Sequence, residues 1–368
     1  MPRTILVFII ALLCFSCERN EIETPSLPLR TVLVYMAADN NLYANAEEDI
    51  NEMLAAGVPG NCNLIVYLDT KNSYPQLLKI QNGKSTEVKK YERQNSASGE
   101  VLHTVIQDAT SMFPAQDYGL ILWSHGTGWL PPGIFDSLKS RKILRSFGKD
   151  GNHEIGLIEL AASIPASFEF IIFDACLMGS IEVLYQLRNK ANTIIASPTE
   201  TLVAGFPYDK IVPLLFTPVC GYAEIAQEYM SYYKNKTGIL QSATIAVVDA
   251  RQLEILAGML REVVENNSIM QPDKSFVQQY EIQDLVVFYD LQDYLTQAVQ
   301  DENSAVALKQ QIARVVKYHD FTPYFLEELS IERSSGVGVY VSPSIDDDLD
   351  EHYKQLDWYI DSKLLCFW

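Results

Sequence analysis

Short apolar runs that alternate with helical segments constrain the fold of this chain more than any other feature. Six such runs are six or seven residues long and rich in β-branched and aromatic side chains. They are Thr31–Ala37, Asn63–Asp69, Tyr118–Ser124, Phe168–Asp174, Asn192–Ser197 and Ala243–Asp249. Runs of this kind are typical of strands that are buried on both faces of a parallel sheet. The pattern therefore predicts an α/β/α sandwich with a mostly parallel central sheet.

The same pattern divides the chain into segments. Residues 30–250 carry all six runs and are predicted to form one α/β domain, with a hairpin around Asn82-Gly83. Residues 251–368 are predicted to be a mainly helical C-terminal region, because helical spacing dominates there. One apolar segment near residues 335–342 is expected to be a strand that rejoins the sheet.

The N-terminal residues predict export. Arg3 is followed by an apolar stretch from Ile5 to Leu13, which is too short to span a membrane and has the flanks of a secretory signal. Residues 1–17 are interpreted as a lipoprotein signal peptide, with Cys17 as the lipidated residue and residues 18–29 as a tether. The alternative is an ordinary cleaved signal with incidental cysteines. Under the first interpretation the protein is anchored to a bacterial membrane by lipid alone, facing the periplasm or the cell surface.

Charge and cysteine content narrow the function classes. With 28 Lys and Arg against 47 Asp and Glu, the formal net charge is −19, so we expect no nucleic-acid partner, because polyanions are repelled. The four cysteines beyond the signal show neither CxxC nor metal-ligand spacing. They are Cys62, Cys176, Cys220 and Cys366. We therefore predict neither a disulfide scaffold nor a metal site, and at least one of the four is a candidate working thiol.

Two chemically reactive residues follow predicted strands. His125 follows the run at 118–124 and precedes Gly126, and Cys176 follows the run at 168–174. Residues just past the carboxyl ends of neighbouring parallel strands meet in one crevice, where α/β folds place their sites. A nearby imidazolium or helix N-terminus favours the thiolate, and the Gly126 N–H can donate to an oxyanion. We predict that Cys176 and His125 are a nucleophile and its acid–base partner. The alternative is a purely structural role, with a buried Cys and a His whose ring is hydrogen-bonded to a carbonyl group.

The chain resembles the clostripain-like cysteine peptidases, which have a caspase-like fold. The resemblance is carried by the His-Gly that ends Leu120–Gly126 and the Ala-Cys that ends Phe170–Cys176. More specific segments are Met36–Leu42, Asp174–Gly179 and Gly205–Tyr208, and Gly336–Pro343 also fits. Altogether the likeness covers roughly residues 30–345. Residues 30–250 would then be the caspase-like catalytic domain.

The resemblance implies a reaction and roles. Peptide bonds of a polypeptide substrate would be hydrolysed through an acyl-enzyme, with Cys176 as nucleophile, His125 as the acid for the leaving amine, and the N–H groups of Gly126 and Cys176 as oxyanion donors. Asp174 would bind Arg or Lys of the substrate, although Ala204 replaces a second acid that relatives commonly carry. Asp174 could instead cap the following helix. Calcium dependence is known in the family, and no ligand set is assigned here.

Other functions stay open on the sequence. The same fold could serve as a catalytically silent lipoprotein that binds or adheres, or as a caspase-like peptidase of different specificity, which Ala204 would suit.

The linker between the two motifs is basic. Its cations are Lys139, Arg141, Lys142, Arg145 and Lys149. Because relatives are often activated by cleavage between the His and the Cys, residues 139–149 are a candidate self-cleavage loop; the alternative is a solvated basic loop.

Overall fold

A computed structural model describes most of the chain. The described ranges are 27–131, 147–151, 153–165, 168–282, 286–343 and 347–368. The predicted signal with Cys17 and residues 132–146 of the basic linker lie outside them. Within these ranges, no helix combines the length and the hydropathy that crossing a membrane requires.

The strands within these ranges include all six apolar runs, each within one residue of the predicted ends. In chain order they are β1 (Arg30–Ala38), β2 (Cys62–Thr70), β3 (Gln76–Gln81), β4 (Lys84–Lys90), β5 (Asp117–Trp123), β6 (Phe147–Asp150), β7 (His153–Ile155), β8 (Phe168–Asp174), β9 (Ala191–Ala196), β10 (Thr244–Asp249), β11 (Phe288–Asp290), β12 (Val316–Phe321), β13 (Tyr324–Phe325), β14 (Leu329–Ser330), β15 (Gly338–Ser342) and β16 (Cys366–Phe367). The runs correspond to β1, β2, β5, β8, β9 and β10.

The α-helices separate these strands. They are α1 (Tyr43–Ala56), α2 (Gly99–Met112), α3 (Leu157–Ser163), α4 (Ile181–Gln186), α5 (Tyr208–Leu215), α6 (Tyr222–Lys234), α7 (Leu253–Glu265), α8 (Leu291–Ala298), α9 (Glu302–Val315), α10 (Asp347–Tyr353) and α11 (Asp357–Ser362). Short 3₁₀ turns lie at Gly238–Leu240, Ala250–Gln252 and Lys274–Phe276.

Nine strands form the central sheet in the order β12-β10-β9-β8-β5-β1-β2-β3-β4. The five strands from β9 to β2 are parallel, and the pairs outside them are antiparallel. The predicted hairpin is present as β3–β4, where Asn82 and Gly83 both have positive φ, as a tight two-residue hairpin turn requires. The mostly parallel centre of the predicted sheet is thus confirmed.

Both faces of the sheet are covered by helices, because successive side chains of a strand point to opposite sides. In β1, Leu33 and Tyr35 belong to one buried cluster, whereas Val32 and Val34 belong to the other. Helices α1, α5 and α6 contribute to the cluster of Val32, and α2, α3, α4, α7 and α11 contribute to that of Leu33. The fold is an α/β/α sandwich, as predicted.

The late strand does not join the central sheet. β15 pairs with β11 and β16 in a separate three-stranded sheet, so the prediction that residues 335–342 rejoin the main sheet is wrong. The edge next to β10 is instead taken by β12, which pairs with it antiparallel. Three of the six residues of β12 are polar, as suits an edge strand with one solvated face. Because β12 continues directly from α9, the sequence pattern does not separate the two elements.

Candidate active site

The structure brings His125 and Cys176 to one cavity. β5 and β8 are parallel neighbours, with Trp123 opposite Asp174, so the residues that follow both strands emerge at the same edge of the sheet. His125 and Cys176 line a cavity of about 280 Å³ together with Gly126 and Asp174. The topology predicted from the two apolar runs therefore accounts for their meeting.

Gly126 lies against the backbone of Cys176. A Cβ atom at position 126 would be 2.6 Å from the carbonyl oxygen of Cys176 and 3.1 Å from its amide nitrogen. Real Cβ atoms are essentially never found as close as the first of these distances. Only glycine allows the His-Gly turn and the Cys176 turn to approach this closely, so the close packing of the two turns requires a residue without a side chain at position 126.

The thiol of Cys176 contacts the backbone of Thr201. The Thr201 N–H donates to Sγ at 3.2 Å, and the thiol donates to the Thr201 carbonyl oxygen at 3.5 Å. Burial raises the pKa of the Cys176 thiol to about 12, and the charge of Glu200 acts in the same direction. In this arrangement the thiol is protonated at neutral pH, contrary to the lowered pKa expected from a helix start.

The helix after Cys176 does not begin at the thiol. α4 starts at Ile181, with Ser180 as its N-cap residue, so residues 177–180 lie between Cys176 and the helix. Leu177 has a φ of 61°, in the left-handed region, and its N–H donates to the Thr199 carbonyl oxygen at 2.9 Å. A strained turn therefore separates the thiol from the helix, as is common at functional sites.

Asp174 is buried at the side of the cavity. Its Oδ2 accepts hydrogen bonds from the Phe206 N–H at 3.2 Å and the Tyr208 hydroxyl at 3.0 Å. Gly205 packs against the carboxylate, where a Cβ atom would be 2.6 Å from Oδ2. Because Asp174 bonds to this loop and α4 has a different N-cap, the alternative that it caps the following helix is wrong.

Two further acids stand behind Asp174, and sequence reasoning missed both. Asp49 is buried on α1 and accepts from the Trp123 indole N–H at 2.7 Å, while Glu52 accepts from the Tyr208 backbone N–H at 2.8 Å. A signal was present in the sequence, since Asp49 shares the apolar face of α1 with Ala46 and Met53. The three carboxyl groups form an acidic cluster, defined here as Asp49, Glu52 and Asp174.

Burial and mutual repulsion raise the pKa values in the acidic cluster. The pKa of Asp49 is raised first by burial and then by the charge of Asp174, against the opposing hydrogen bond from Trp123. The pKa of Asp174 is also raised, again mainly by burial, although its bonds to Phe206 and Tyr208 oppose the shift. Burial therefore disfavours ionisation of these carboxyl groups, and a cation bound beside the cluster would lower their pKa values again.

A pH-dependent stability prediction follows from Asp49. Its folded-state pKa lies above the unfolded value of about 4, so its contribution is fully present below that pH and is lost as pH rises through the folded pKa. We expect Asp49→Asn to leave the melting temperature at pH 4 nearly unchanged and to raise it at pH 8. Thermal unfolding between pH 4 and 9 measures this effect. An equal shift at both pH values would contradict it, and Glu47→Gln on the exposed face of α1 is the control.

Metal ligands do not cluster in the described part of the chain. In those ranges no group of three or more His, Cys, Asp or Glu side chains is arranged to hold a metal ion. Of the other histidines, His103 lies on α2 with Nδ1 3.0 Å from the Ser163 carbonyl oxygen, and His352 stacks on Trp129. His125 is thus the histidine that lies with Cys176.

An α/β/α sandwich that brings a histidine and a cysteine together past adjacent parallel strands is the arrangement of the caspase-like cysteine peptidases. Residues 34–328 match the model of the clostripain family, peptidase family C11. The match covers most of the chain, which therefore belongs to the clostripain family of cysteine peptidases.

Known relatives agree with this assignment. The chain is 30% identical over 218 residues to clostripain of Hathewaya histolytica, covering 49% of this chain and 41% of the relative. A secreted C11 cysteine protease from Bacteroides thetaiotaomicron, solved with an irreversible peptide inhibitor, superposes with a TM-score of 0.80 at 30% identity, covering 90% and 98% of the two chains. An inactive zymogen C11 protease from Parabacteroides distasonis gives 0.80 at 32% identity, covering 92% and 98%.

Proposed function

We propose that this chain is a cysteine endopeptidase that acts through a dyad of Cys176 and His125. The observation that carries the proposal is their meeting in one cavity, with Gly126 packed against the Cys176 backbone. Membership of the clostripain family supports it. In this reaction the Cys176 thiolate attacks the scissile carbonyl carbon, and the leaving amine takes a proton from His125 as the acyl-enzyme forms. Water then attacks the thioester, which releases the acyl group as a carboxylic acid and regenerates the thiol.

The negative charge that develops on the carbonyl oxygen needs donors. Backbone N–H groups aimed at a developing oxyanion are among the largest contributions in acyl transfer. The N–H groups of Gly126 and Cys176 are the proposed donors, since they belong to backbone segments in contact. Absence of a Cβ atom at position 126 also leaves room for the substrate carbonyl beside this contact.

Cleavage after Arg or Lys is the proposed specificity. Asp174 is the member of the acidic cluster that lines the cavity, so a guanidinium or ammonium group in the cavity would lie beside a carboxylate. Ala204 is exposed and does not supply the second acid that relatives commonly carry there. Asp49, behind Trp123, places a second buried carboxyl group in the same region from a different element.

A silent binding module remains the second candidate function. The observation that favours it is the Cys176 thiol, which contacts Thr201 and has a pKa raised to about 12, so that it is a poor nucleophile as it stands. Turnover requires this thiol to lose its proton to His125. A protein that never makes this transfer would keep the fold and bind peptides without cleaving them.

The experiment that separates these functions is a panel of fluorogenic peptides that differ only in the residue before the scissile bond. We expect wild type to cleave the Arg and Lys members fastest, with Cys176→Ala as the blank. Assays with and without calcium and reductant ensure that neither requirement is missed. If no member of the panel is hydrolysed under any of these conditions, the peptidase function is refuted and the binding module is the remaining candidate. Fast cleavage of neutral members alone would refute the basic specificity.

Self-cleavage of the basic linker is also proposed, as is export with a lipid on Cys17. The similar Bacteroides thetaiotaomicron protease is described as secreted, and the Parabacteroides distasonis one as an inactive zymogen. Intact-mass measurement of the purified chain should show two fragments for wild type and one chain for Cys176→Ala, with the cut after Lys139, Arg141, Lys142 or Arg145, because Lys149 lies in strand β6. Identical masses for the two would refute self-cleavage.

The proposed lipid anchor on Cys17 has its own test. Palmitate labelling that is lost in Cys17→Ser would support the anchor.

A further inference from the structure

The catalytic histidine proposed above has a side-chain partner. His125 Nε2 lies 2.9 Å from the Oδ1 atom of Asn41, which comes from the turn between β1 and α1. Neither residue is near the other in sequence, since 84 positions separate them. Resting on the proposed dyad, we infer that Asn41 is a positioning residue, whose side-chain oxygen fixes the orientation and the tautomer of His125.

The chemistry of the two atoms defines the tautomer. An amide oxygen only accepts hydrogen bonds, so the contact with Asn41 requires the proton to be on Nε2 of His125. In the neutral ring Nδ1 is then the basic nitrogen, and it is the one that exchanges a proton with the Cys176 sulfur and the leaving amine. When the ring becomes an imidazolium, the bond from Nε2 to Asn41 is charge-assisted and strengthens.

The turn that carries Asn41 is fixed by its neighbour. Asn40 Nδ2 donates to the carbonyl oxygens of Ala37 at 2.9 Å and Lys149 at 2.8 Å, and Asn40 Oδ1 accepts from the Leu42 N–H at 2.8 Å. These bonds hold the end of β1, the start of α1 and the strand β6 together. Asn41 is therefore presented from a braced turn, although its own side chain is exposed.

The backbone of His125 is tied to the same place. The Ser124 hydroxyl donates to the Ala37 carbonyl oxygen at 2.7 Å, and the Gly148 N–H donates to the His125 carbonyl oxygen at 3.0 Å. Both ends of the contact between Asn41 and His125 are thus attached to β1 and β6. Preorganisation of this kind is what keeps a catalytic group in its productive orientation.

The test compares Asn41→Ala and Asn41→Asp in the full chain, with Asn192→Ala as the matched control on the far end of β9. We expect Asn41→Ala to lower kcat about 10- to 100-fold while KM changes little. A carboxylate in Asn41→Asp stabilises the imidazolium and should move the alkaline limb of the kcat/KM profile up by about one pH unit. The other titratable groups of the cavity, Asp174, Cys176 and Glu200, are unchanged in both variants.

A second readout does not depend on peptide cleavage. The rate at which iodoacetamide alkylates Cys176, followed against pH, should fall in Asn41→Ala and shift in Asn41→Asp, because the imidazolium stabilises the thiolate. Equal losses in both variants without any pH shift would overturn the inference, as would wild-type behaviour of both. If His125→Ala keeps wild-type activity, the proposed dyad itself fails. If His125→Ala abolishes activity while both Asn41 variants behave like wild type, the dyad stands and the positioning role fails.

Discussion

Replacing Cys176 by alanine should abolish peptide hydrolysis. We expect kcat/KM on an Arg peptide to fall at least about 10,000-fold, because the covalent route is lost and only binding and the oxyanion donors remain. Fluorogenic assays of freshly purified protein measure the fall. The matched control is Cys220→Ala, a buried cysteine near the Leu214 carbonyl oxygen and outside the cavity, which should keep its activity.

The Cys176 variant should remain folded. Its side chain is small and its contacts are with the backbone of Thr201, so an alanine leaves the surrounding elements in place. An unchanged circular-dichroism spectrum and melting temperature within a few degrees of wild type would attribute the loss to chemistry. Residual activity above about a tenth of wild type would show that another group is the nucleophile.

Replacing Asp174 by asparagine should remove the preference for basic residues. Asparagine keeps an oxygen that accepts from Phe206 and Tyr208, but it lacks the charge that pairs with a guanidinium. We expect kcat/KM for the Arg peptide to fall about 30- to 1,000-fold, the range for losing one partner of a desolvated charge pair. Norleucine peptides should change by less than about threefold. The ratio of the two kcat/KM values is the measurement.

Glu169→Gln is the matched control for this effect. It removes one charge from the same strand, β8, at the end away from the cavity, where Glu169 contacts Tyr222 and Asn192. Its selectivity ratio should equal that of wild type. An equal fall for both peptides in Asp174→Asn would show that Asp174 only supports the Tyr208 loop, and the selectivity would then have to come from another residue.

The central sheet could be predicted from the sequence because a strand that is buried on both faces has a continuous run of apolar residues. Every strand that the parallel centre contributes has a continuous apolar run, and β8 was predicted with both ends correct. His125 and Cys176 could be found for the same reason, since they follow two such runs. Edge strands have a weaker sequence pattern, because one of their faces is solvated. β12 has a solvated face and half its positions are polar, so its pattern merged with that of α9.

Contacts between distant segments could not be predicted. Asn41 reaches His125 across 84 positions, and Thr201 reaches the Cys176 sulfur across 25. Such contacts depend on the packing of turns, to which no periodicity in the sequence corresponds. Asp49 is the intermediate case, since an acid on the apolar face of a helix signals a buried partner without identifying Trp123.

The order of the central sheet has a consequence for a molecule cut in its basic linker. Within the central sheet, the strands before the linker form the block β5-β1-β2-β3-β4, and the strands after it form the block β8-β9-β10-β12. His125 belongs to the first block and Cys176 to the second, with the seam between β5 and β8. A nicked enzyme would be a heterodimer of two polypeptides sharing one sheet. The proposed catalytic pair would then be divided between two polypeptides, so refolding after denaturation would require the two chains to associate.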